Sequence, residues 1–353
     1  MFDIVAPQLR IVEHVVQTVA CGCGRVHVGQ FPDDIKAPVQ YGPNIKSIAC
    51  YLNQYQFLPY DRTCEALADL LGCHISPGTL QNILAECHAK LESTEVMIKD
   101  HISAATVAQF DETGMRIEGK TNWMHSASTS RATHYHAHGK RGSDAAIDAG
   151  ILPRFKGQAI HDGWKPYLRF DCGHGLCNAH HLRELRFVEE ECRQPWARDM
   201  ADLLLTIKTA VEAARTADHG TLDGESHARF MAQYDDIIAA GYAANPWQEP
   251  DGPVKRGRKK KTKALNLVER LDKQRDAVLL FMNDFHVPFD NNLAERDIRM
   301  VKLHQKISGT FRSHSGASIF CRTRSYLSTA RKNGIGAMHA LRLAFKNTPF
   351  VFS

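Results

Sequence analysis

Apolar residues recur at helical spacing over most of the chain. A stripe of leucines predicts a helix over residues 62–71, and Gly72 is expected to end it. Ser76 and Pro77 supply an N-cap and a first-turn proline, so a second helix is predicted over residues 77–88. Residues 62–88 are therefore predicted to form two helices.

The pattern changes in the middle of the chain, where apolar and polar residues alternate. A short apolar strand over residues 106–110 is expected to end at Asp111, within a three-stranded antiparallel meander. A buried strand over residues 157–163 is expected to stop at Asp162, and one more strand is predicted over residues 173–180. Helical sequence precedes and follows this part, so the predicted fold class is α/β.

Composition places the chain among ordinary globular proteins. It has 353 residues, of which 43% are hydrophobic and 24% charged, and this excludes wholesale disorder. No apolar stretch suits a membrane span and the N-terminus lacks a signal-peptide layout, so we expect no membrane partner and a cytoplasmic location. The ten cysteines are mostly scattered singly, which favours a reduced chain without a disulfide framework.

The net charge of +5 is modest, but its distribution is uneven. Seven of the nine residues from Lys255 to Lys263 are basic, within a predicted linker over residues 244–263. Several phosphate contacts there would make DNA binding steeply dependent on salt. Two alternatives stay open: a loop that binds DNA, or one that is merely solvated. The candidate DNA-binding residues of the run are Lys255, Arg256, Arg258, Lys259 and Lys260.

Three carboxylates have the positions that metal-assisted chemistry needs. Asp111 and Asp162 each end a predicted strand, and Glu295 lies at the start of a predicted helix. Mg²⁺ prefers hard oxygen ligands, and two ions roughly 4 Å apart would stabilise the attacking and leaving oxygens of a phosphoryl displacement. From the residues alone the alternative is favoured, in which the aspartates cap turns and Glu295 pairs with Arg299 one helical turn later.

Six segments together resemble a known family. They are Phe110-Asp111-Glu112-Thr113, Ile160-His161-Asp162-Gly163-Trp164, Cys177-Asn178-Ala179-His180, Pro288–Arg296, Lys306-Ile307-Ser308-Gly309 and Phe311-Arg312-Ser313. In content and order they resemble the transposases of the insertion sequence 66 family, over residues 10–345. The DNNLAER segment that ends at Arg296 and the order of the blocks are the specific features.

The resemblance implies a ribonuclease-H-like mixed sheet (βββαβαβ) with a helical insertion and an N-terminal, mainly helical subdomain. It implies a catalytic triad of Asp111, Asp162 and Glu295 that holds two Mg²⁺ or Mn²⁺ ions. The implied function is that of a DNA transposase, which cleaves a phosphodiester and transfers the strand. The implied partners are double-stranded DNA at the element ends and the target, a second copy of the chain on that DNA, and accessory proteins encoded by the element. The implied location is the nucleoid.

The resemblance also divides the chain into expected domains. The expected domains are a remnant of a zinc-binding module (1–31), a helical region with a candidate helix-turn-helix (32–100), the first part of the catalytic domain (101–190), a helical insertion containing the linker (191–285), and the catalytic-domain helix with a C-terminal element (286–345).

Two cysteine-containing elements are candidate zinc sites. Family members carry two cysteine pairs ahead of the catalytic domain, whereas only Cys21 and Cys23 are present here, so we expect a shortened N-terminus that binds no zinc. Cys177 and His180 match a Cys-x-x-His element of such transposases. In one alternative they bind Zn²⁺ together with Cys172, His174 or His181. In the other they are a structural pair, with Cys177 in the core and His180 hydrogen-bonded near the aspartates. The structural pair is favoured.

Other residues are candidates for DNA contact. Arg296, Arg299, Lys302 and Lys306 recur at near-helical spacing, and a phosphate-facing stripe is favoured over a solvated face. The second helix of the candidate helix-turn-helix carries Gln81, Asn82 and Lys90 but little positive charge, which favours two simply packed helices.

Aromatic and histidine residues near the strands receive structural interpretations. Trp164 either stacks on a base or packs under the sheet, and packing in the core is favoured. His125, His134, His136 and His138 are expected to be exposed strand residues and not a metal site. Two alternative functions remain, a DNA-binding remnant of a transposase without catalysis and a zinc hydrolase built on Cys177 and His180.

Overall fold

The structure is a computed structural model that describes residues 1–3, 8–33, 35–247 and 261–351. The strands are β1 (Thr18–Ala20), β2 (Val26–Val28), β3 (Val107–Ile117), β4 (Lys120–Ser128), β5 (Thr133–His138), β6 (Gln158–His161) and β7 (Gly173–Leu176). The helices are α1 (Pro43–Cys50), α2 (Tyr60–Leu71), α3 (Pro77–Lys90), α4 (Glu92–Ser103), α5 (Ser143–Ala149), α6 (Asn178–Cys192), α7 (Pro195–Thr216), α8 (Gly224–Ala244), α9 (Lys263–Lys273), α10 (Arg275–Val278), α11 (Leu280–Asn283), α12 (Asn292–Ser308), α13 (His314–Lys332) and α14 (Ala337–Phe345). None of the helices in these residues has the length and apolar character needed to cross a bilayer.

The chain divides into two compact units. The first comprises Met1–Val96, Ile117–Gly119 and Lys302–Ser353, and the second comprises Met97–Arg116 and Lys120–Val301. In the first unit, apolar faces of α1, α3, α13 and α14 form the core. In the second unit, the apolar side of β6 and β7 packs with the helices from α6 to α11.

The helix pair predicted in the first unit is confirmed. Helix α2 ends at Gly72, whose φ of 64° is the left-handed conformation that glycine adopts without strain. Helix α3 begins after Ser76, whose hydroxyl accepts a hydrogen bond of 3.1 Å from the Thr79 N–H, and Pro77 occupies the first turn. Both ends are therefore set by local interactions.

The second unit contains a five-stranded mixed sheet in the order β5-β4-β3-β6-β7. Strands β3, β6 and β7 run parallel, whereas β4 and β5 pair antiparallel, so the predicted meander followed by further strands is confirmed. The order βββαβαβ implies an α-helix between the last two strands, and this prediction is wrong. The short connection holds only the 3-10 helix Tyr167–Arg169, because too few residues link β6 to β7 for a packed crossover helix.

Two predicted strand ends are also wrong. Strand β3 continues through Asp111 to Ile117, because backbone pairing with β4 carries it across the less apolar stretch from Asp111 to Gly114. The last strand, predicted to run to residue 180, ends at Leu176, and α6 begins at Asn178. Asp111 therefore projects from within a strand.

Gly241 in α8 allows a close helix contact in the second unit. A Cβ at this position would lie 2.6 Å from Val268 Cγ2 and 3.3 Å from the Trp196 ring. Gly241→Ala should therefore lower the free energy of unfolding by about 1–3 kcal/mol, although alanine normally favours a helix interior. Urea denaturation checks this prediction. Gly224→Ala at the open first turn of the same helix is the control, and equal effects of the two changes would contradict it.

Candidate active site

Asp111 and Asp162 are brought together by the parallel pairing of β3 with β6. Val107 pairs with Gln158 and Gln109 with Ile160, so partners differ by 51 positions. The same 51 positions separate Asp111 from Asp162. The two carboxylates therefore lie side by side where the paired segments end. Asp162 Oδ1 accepts a hydrogen bond of 2.9 Å from the Trp164 N–H, which holds it in a turn.

The helix that carries Glu295 is attached to the same strand. Gln109 Oε1 accepts hydrogen bonds from the backbone N–H groups of Leu293 (3.1 Å) and Ala294 (3.3 Å), in the first turn of α12. Asn291 donates from Nδ2 to the Phe110 carbonyl at 2.8 Å. Because Gln109 and Asn291 join the start of α12 to the two residues of β3 that precede Asp111, they place Glu295 towards Asp111.

Asp297 attaches the next part of α12 to the sheet. Its Oδ2 accepts hydrogen bonds from Ser128 (2.7 Å) and Thr133 (2.9 Å), and its carbonyl accepts one from the Tyr135 hydroxyl (2.9 Å). These donors lie on β4 and β5. Gln109, Asn291 and Asp297 were not predicted as site residues, because their partners are distant in sequence.

The surroundings of Asp111 favour the neutral form of its carboxyl group. Burial, and then the charge of Glu112, raise the pKa of Asp111 to about 7, and Asp162 and Glu295 contribute further to the increase. A hydrogen bond of 2.9 Å from the Glu112 N–H to Asp111 Oδ1 opposes part of the effect. A carboxylate with this pKa favours a proton or a cation near neutral pH.

Glu112 is a buried charge with two partners. Its carboxylate is 2% exposed and accepts hydrogen bonds from Arg141 Nε (2.9 Å) and Nη2 (2.6 Å), and from the Tyr167 hydroxyl. The Arg141 guanidinium lies over the rings of Trp123 (4.8 Å) and Trp164 (4.2 Å). Trp164 is half-buried, so its predicted place in the core is wrong: its ring packs on this guanidinium.

Cys177 and His180 meet Glu295, and not the neighbours that sequence analysis offered as zinc ligands. One ligand atom of each of the three lies within 4.8 Å of the others. Cys177 is buried, as predicted, and its Sγ accepts a 3.2 Å hydrogen bond from the Asn291 N–H. His180 Nδ1 lies 3.7 Å from Glu295 Oε1 and makes no hydrogen bond. The alternative partners bond elsewhere: Cys172 Sγ lies 3.9 Å from His174 Nε2, and His181 is paired with Asn178.

The candidate DNA contacts are differently placed. Arg296, Arg299, Lys302 and Lys306 all lie on the exposed face of α12, opposite the buried residues of that helix. Of the helix-turn-helix candidates, Asn82 is exposed, Gln81 bonds to Tyr60, and Lys90 bonds to Asn347. Lys255, Arg256, Arg258, Lys259 and Lys260 lie outside the described residues, whereas Cys21 and Cys23 are exposed beside the β1–β2 turn.

The four strand histidines are less exposed than predicted. His125 and His134 are buried, and His136 and His138 are half-buried. Burial lowers the pKa of His125 to about 4. The prediction was wrong because alternation along a strand does not show which faces of the sheet are covered.

The cap formed by Gln109 can be tested locally. Gln109→Met keeps the side-chain length but removes the acceptor, so the Leu293 and Ala294 amides lose their partner. A cap is worth about 1 kcal/mol, so hydrogen exchange of these two amides should accelerate by roughly a factor of five to ten. Gln30→Met at an exposed position is the control. Unchanged exchange at Leu293 would contradict the capping role.

Comparison with known families is consistent with this arrangement. The model of one family, described as Transposase IS66 family, matches residues 38–319. None of the curated proteins compared with the chain matches it. The matched range contains Asp111, Asp162 and Glu295 together with the residues that hold them in place. Because the match covers most of the sequence, the chain belongs to the IS66 family of transposases.

Proposed function

We propose that this transposase cleaves and joins DNA strands with Asp111, Asp162 and Glu295 as its metal-binding catalytic residues. Family membership makes the chain an enzyme of the nuclease and transferase kind, with DNA as its partner. The observation that carries the proposal is geometric: β3 and β6 pair in the register that separates Asp111 from Asp162, and Gln109 and Asn291 fasten the start of the Glu295 helix to β3. In this proposal Asp111 in β3, Asp162 directly after β6 and Glu295 in the first turn of α12 share one site.

The donor set suits a divalent cation such as Mg²⁺ or Mn²⁺. All three side chains offer hard oxygen ligands, and their repulsion is the kind that a cation relieves. Glu295 Oε1 is buried without a hydrogen-bond partner, which leaves a lone pair for a ligand. Bound divalent ions would supply Lewis-acid stabilisation of charge on the phosphate oxygens.

The protein's own residues have separate tasks in this scheme. Asp111 and Asp162 present oxygens from adjacent strands, and Gln109 and Asn291 hold the Glu295 helix beside them. Arg141 and Tyr167 neutralise and fix Glu112, so that its N–H stays on Asp111 Oδ1. No residue needs to form a covalent bond to DNA.

We also propose a ribonuclease-H-like topology and the DNA path. Three meander strands followed by two parallel strands support that topology. The exposed cations of α12, from Arg296 to Lys306, follow Glu295 along one helix and suit a phosphate backbone. Element ends, target DNA, a second copy of the chain and accessory proteins are the proposed partners. The five domain limits given above stay predictions.

Plasmid nicking tests the proposed function. A plasmid that carries the element's ends is incubated with the protein and Mg²⁺ or Mn²⁺, and 3′-hydroxyl ends are detected by polymerase extension. Glu295→Gln should slow nicking by about a hundredfold, since a metal ligand is weakened while the hydrogen-bonded frame remains. Glu191→Gln, at an exposed position of α6, is the matched control and should nick normally.

Two outcomes would contradict the assignment. Metal-dependent nicking that survives Glu295→Gln would remove this residue from the catalytic site. End-specific DNA binding by the wild type with no nicking in either metal would favour the non-catalytic DNA-binding remnant.

A further inference from the structure

Glu295 belongs to two groups of side chains, and the second group has a different chemistry. Among the described residues, Cys177, His180 and Glu295 are the one set of three metal-ligating side chains whose ligand atoms all lie within 4.8 Å of one another. Two of these atoms, His180 Nδ1 and Glu295 Oε1, are buried, 3.7 Å apart and without any hydrogen-bond partner. Buried polar atoms are rarely left unsatisfied, so an unpartnered pair that converges needs an explanation.

We propose that Cys177 Sγ, His180 Nδ1 and Glu295 Oε1 form a binding site for a thiophilic transition-metal ion such as Zn²⁺. Sulfur, imidazole and carboxylate are the zinc ligands of proteins, and they bind at about 2.0–2.3 Å. Tetrahedral coordination at those lengths places ligand atoms roughly 3.4 Å from one another. His180 Nδ1 and Glu295 Oε1, 3.7 Å apart, are already close to that separation, and the Cys177 sulfur lies within 4.8 Å of both.

The surroundings of the three ligands fit this use. Cys177 precedes the first residue of α6, and His180 lies on the first turn, so both are placed by one helix start. Glu295 comes from the first turn of α12, and Asn291 just before that helix donates its N–H to the Cys177 sulfur. A thiolate, a carboxylate and a neutral imidazole would balance a divalent charge.

The site has one open coordination position in this arrangement. Three protein ligands are the number found where a fourth place is kept for water or another ligand. The ligating atoms are buried, but the side chains of His180 and Glu295 are 36% and 19% exposed, so the site lies close to the surface. Arg183, whose Nη2 lies 3.9 Å from Glu295 Oε1, is 64% exposed and can move away.

Cobalt binding tests the site directly, because a sulfur-to-cobalt charge-transfer band reports a thiolate ligand. Full-length protein with Cys21→Ser and Cys23→Ser is the background, which removes the exposed cysteine pair. Titration with Co²⁺ should give one equivalent of tight binding with this band. Cys177→Ser should abolish the band, and His180→Gln should weaken binding by about tenfold or more.

Matched variants decide whether the band comes from this site. Cys192→Ser, at the exposed last residue of the helix that Cys177 precedes, should keep the band, as should Cys172→Ser beside His174. A band that survives Cys177→Ser or is lost in Cys172→Ser would overturn the proposal, as would no tight binding in the background protein. If Cys177→Ser fails to fold, the half-exposed His180→Gln decides, and unchanged Co²⁺ affinity in that variant overturns the site.

Glu295 belongs to both the proposed zinc site and the proposed catalytic site, and the following consequence rests on the proposed function. An ion held by Cys177 and His180 would withdraw this carboxylate from Asp111 and Asp162, so one equivalent of Zn²⁺ should slow Mg²⁺-dependent nicking. The cobalt titration does not depend on cleavage. Cobalt binding at Cys177 without zinc inhibition would therefore contradict the catalytic role of Glu295 and leave the ion site standing.

Discussion

Asp111→Asn is expected to lower Mg²⁺-dependent cleavage by about a thousandfold. Asp111 is the carboxylate that interacts with both Asp162 and Glu295, so its loss disturbs the whole donor set. Metal-ion stabilisation of transition-state charge is worth several kcal/mol, and each 1.4 kcal/mol is tenfold in rate. Nicking rates measured with wild type and variant at the same DNA concentration check the value.

The same substitution is expected to stabilise the folded protein in the absence of metal. The pKa of Asp111 is raised from 3.8 to about 7, so the folded state binds more protons than the unfolded state between these values. The wild type therefore loses stability as the pH rises from about 4 to 7. Asparagine is neutral at every pH and avoids this loss, which is at most about 4 kcal/mol above pH 7.

Thermal unfolding with a metal chelator present, at pH 5 and pH 8, separates this pH-dependent stabilisation from effects of the substitution that do not depend on pH. The difference between Asp111→Asn and wild type should be larger at pH 8. Asp171→Asn, whose side chain is fully solvated, should change neither cleavage nor the pH dependence. An Asp111→Asn variant that nicks DNA at the wild-type rate would exclude Asp111 from catalysis.

Arg141→Met is expected to lower the free energy of unfolding by about 3 kcal/mol. It removes the guanidinium from the Glu112 carboxylate, which is 2% exposed, and leaves a buried charge with only the Tyr167 hydroxyl. The loss should be smaller at pH 5 than at pH 8, because burial already raises the pKa of Glu112 and a protonated carboxyl needs no cation. Chemical denaturation at both pH values measures this.

A double variant gives the matched test of this ion pair. Glu112→Gln in the Arg141→Met background removes the unpaired charge and should recover much of the lost stability. Arg154→Met is the control, because Arg154 and Asp100 form an exposed pair worth less than about 1 kcal/mol. Additive effects of the Arg141 and Glu112 substitutions would show that the two residues do not act as a pair.

Local features of the fold could be predicted because neighbouring residues determine them. The start of α3 at Ser76 and Pro77, the end of α2 at Gly72 and the strand that stops before Asp162 all depend on interactions within a few positions. The end of β3 could not be predicted in this way. Its continuation past Asp111 depends on pairing with β4, which the apolar pattern does not report.

The side chains that meet the site residues in space were harder to predict than the ends of helices and strands. The neighbours of Cys177 in sequence suggested Cys172, His174 or His181 as further ligands, but α12 brings Glu295 instead. The spacing of 51 positions between Asp111 and Asp162 was visible in the sequence, whereas its agreement with a parallel register was not.

The sequence by itself determined the family, the α/β class, the end of α2 at Gly72 and the start of α3 at Ser76, because ordered motifs, hydrophobic period and capping residues are properties of the chain alone. Only the tertiary structure decided which side chains meet. Gln109 capping the Glu295 helix, Arg141 neutralising Glu112, and Cys177 and His180 facing Glu295 all join residues far apart in the chain. Such contacts depend on how strands and helices pack, and no local pattern encodes that packing.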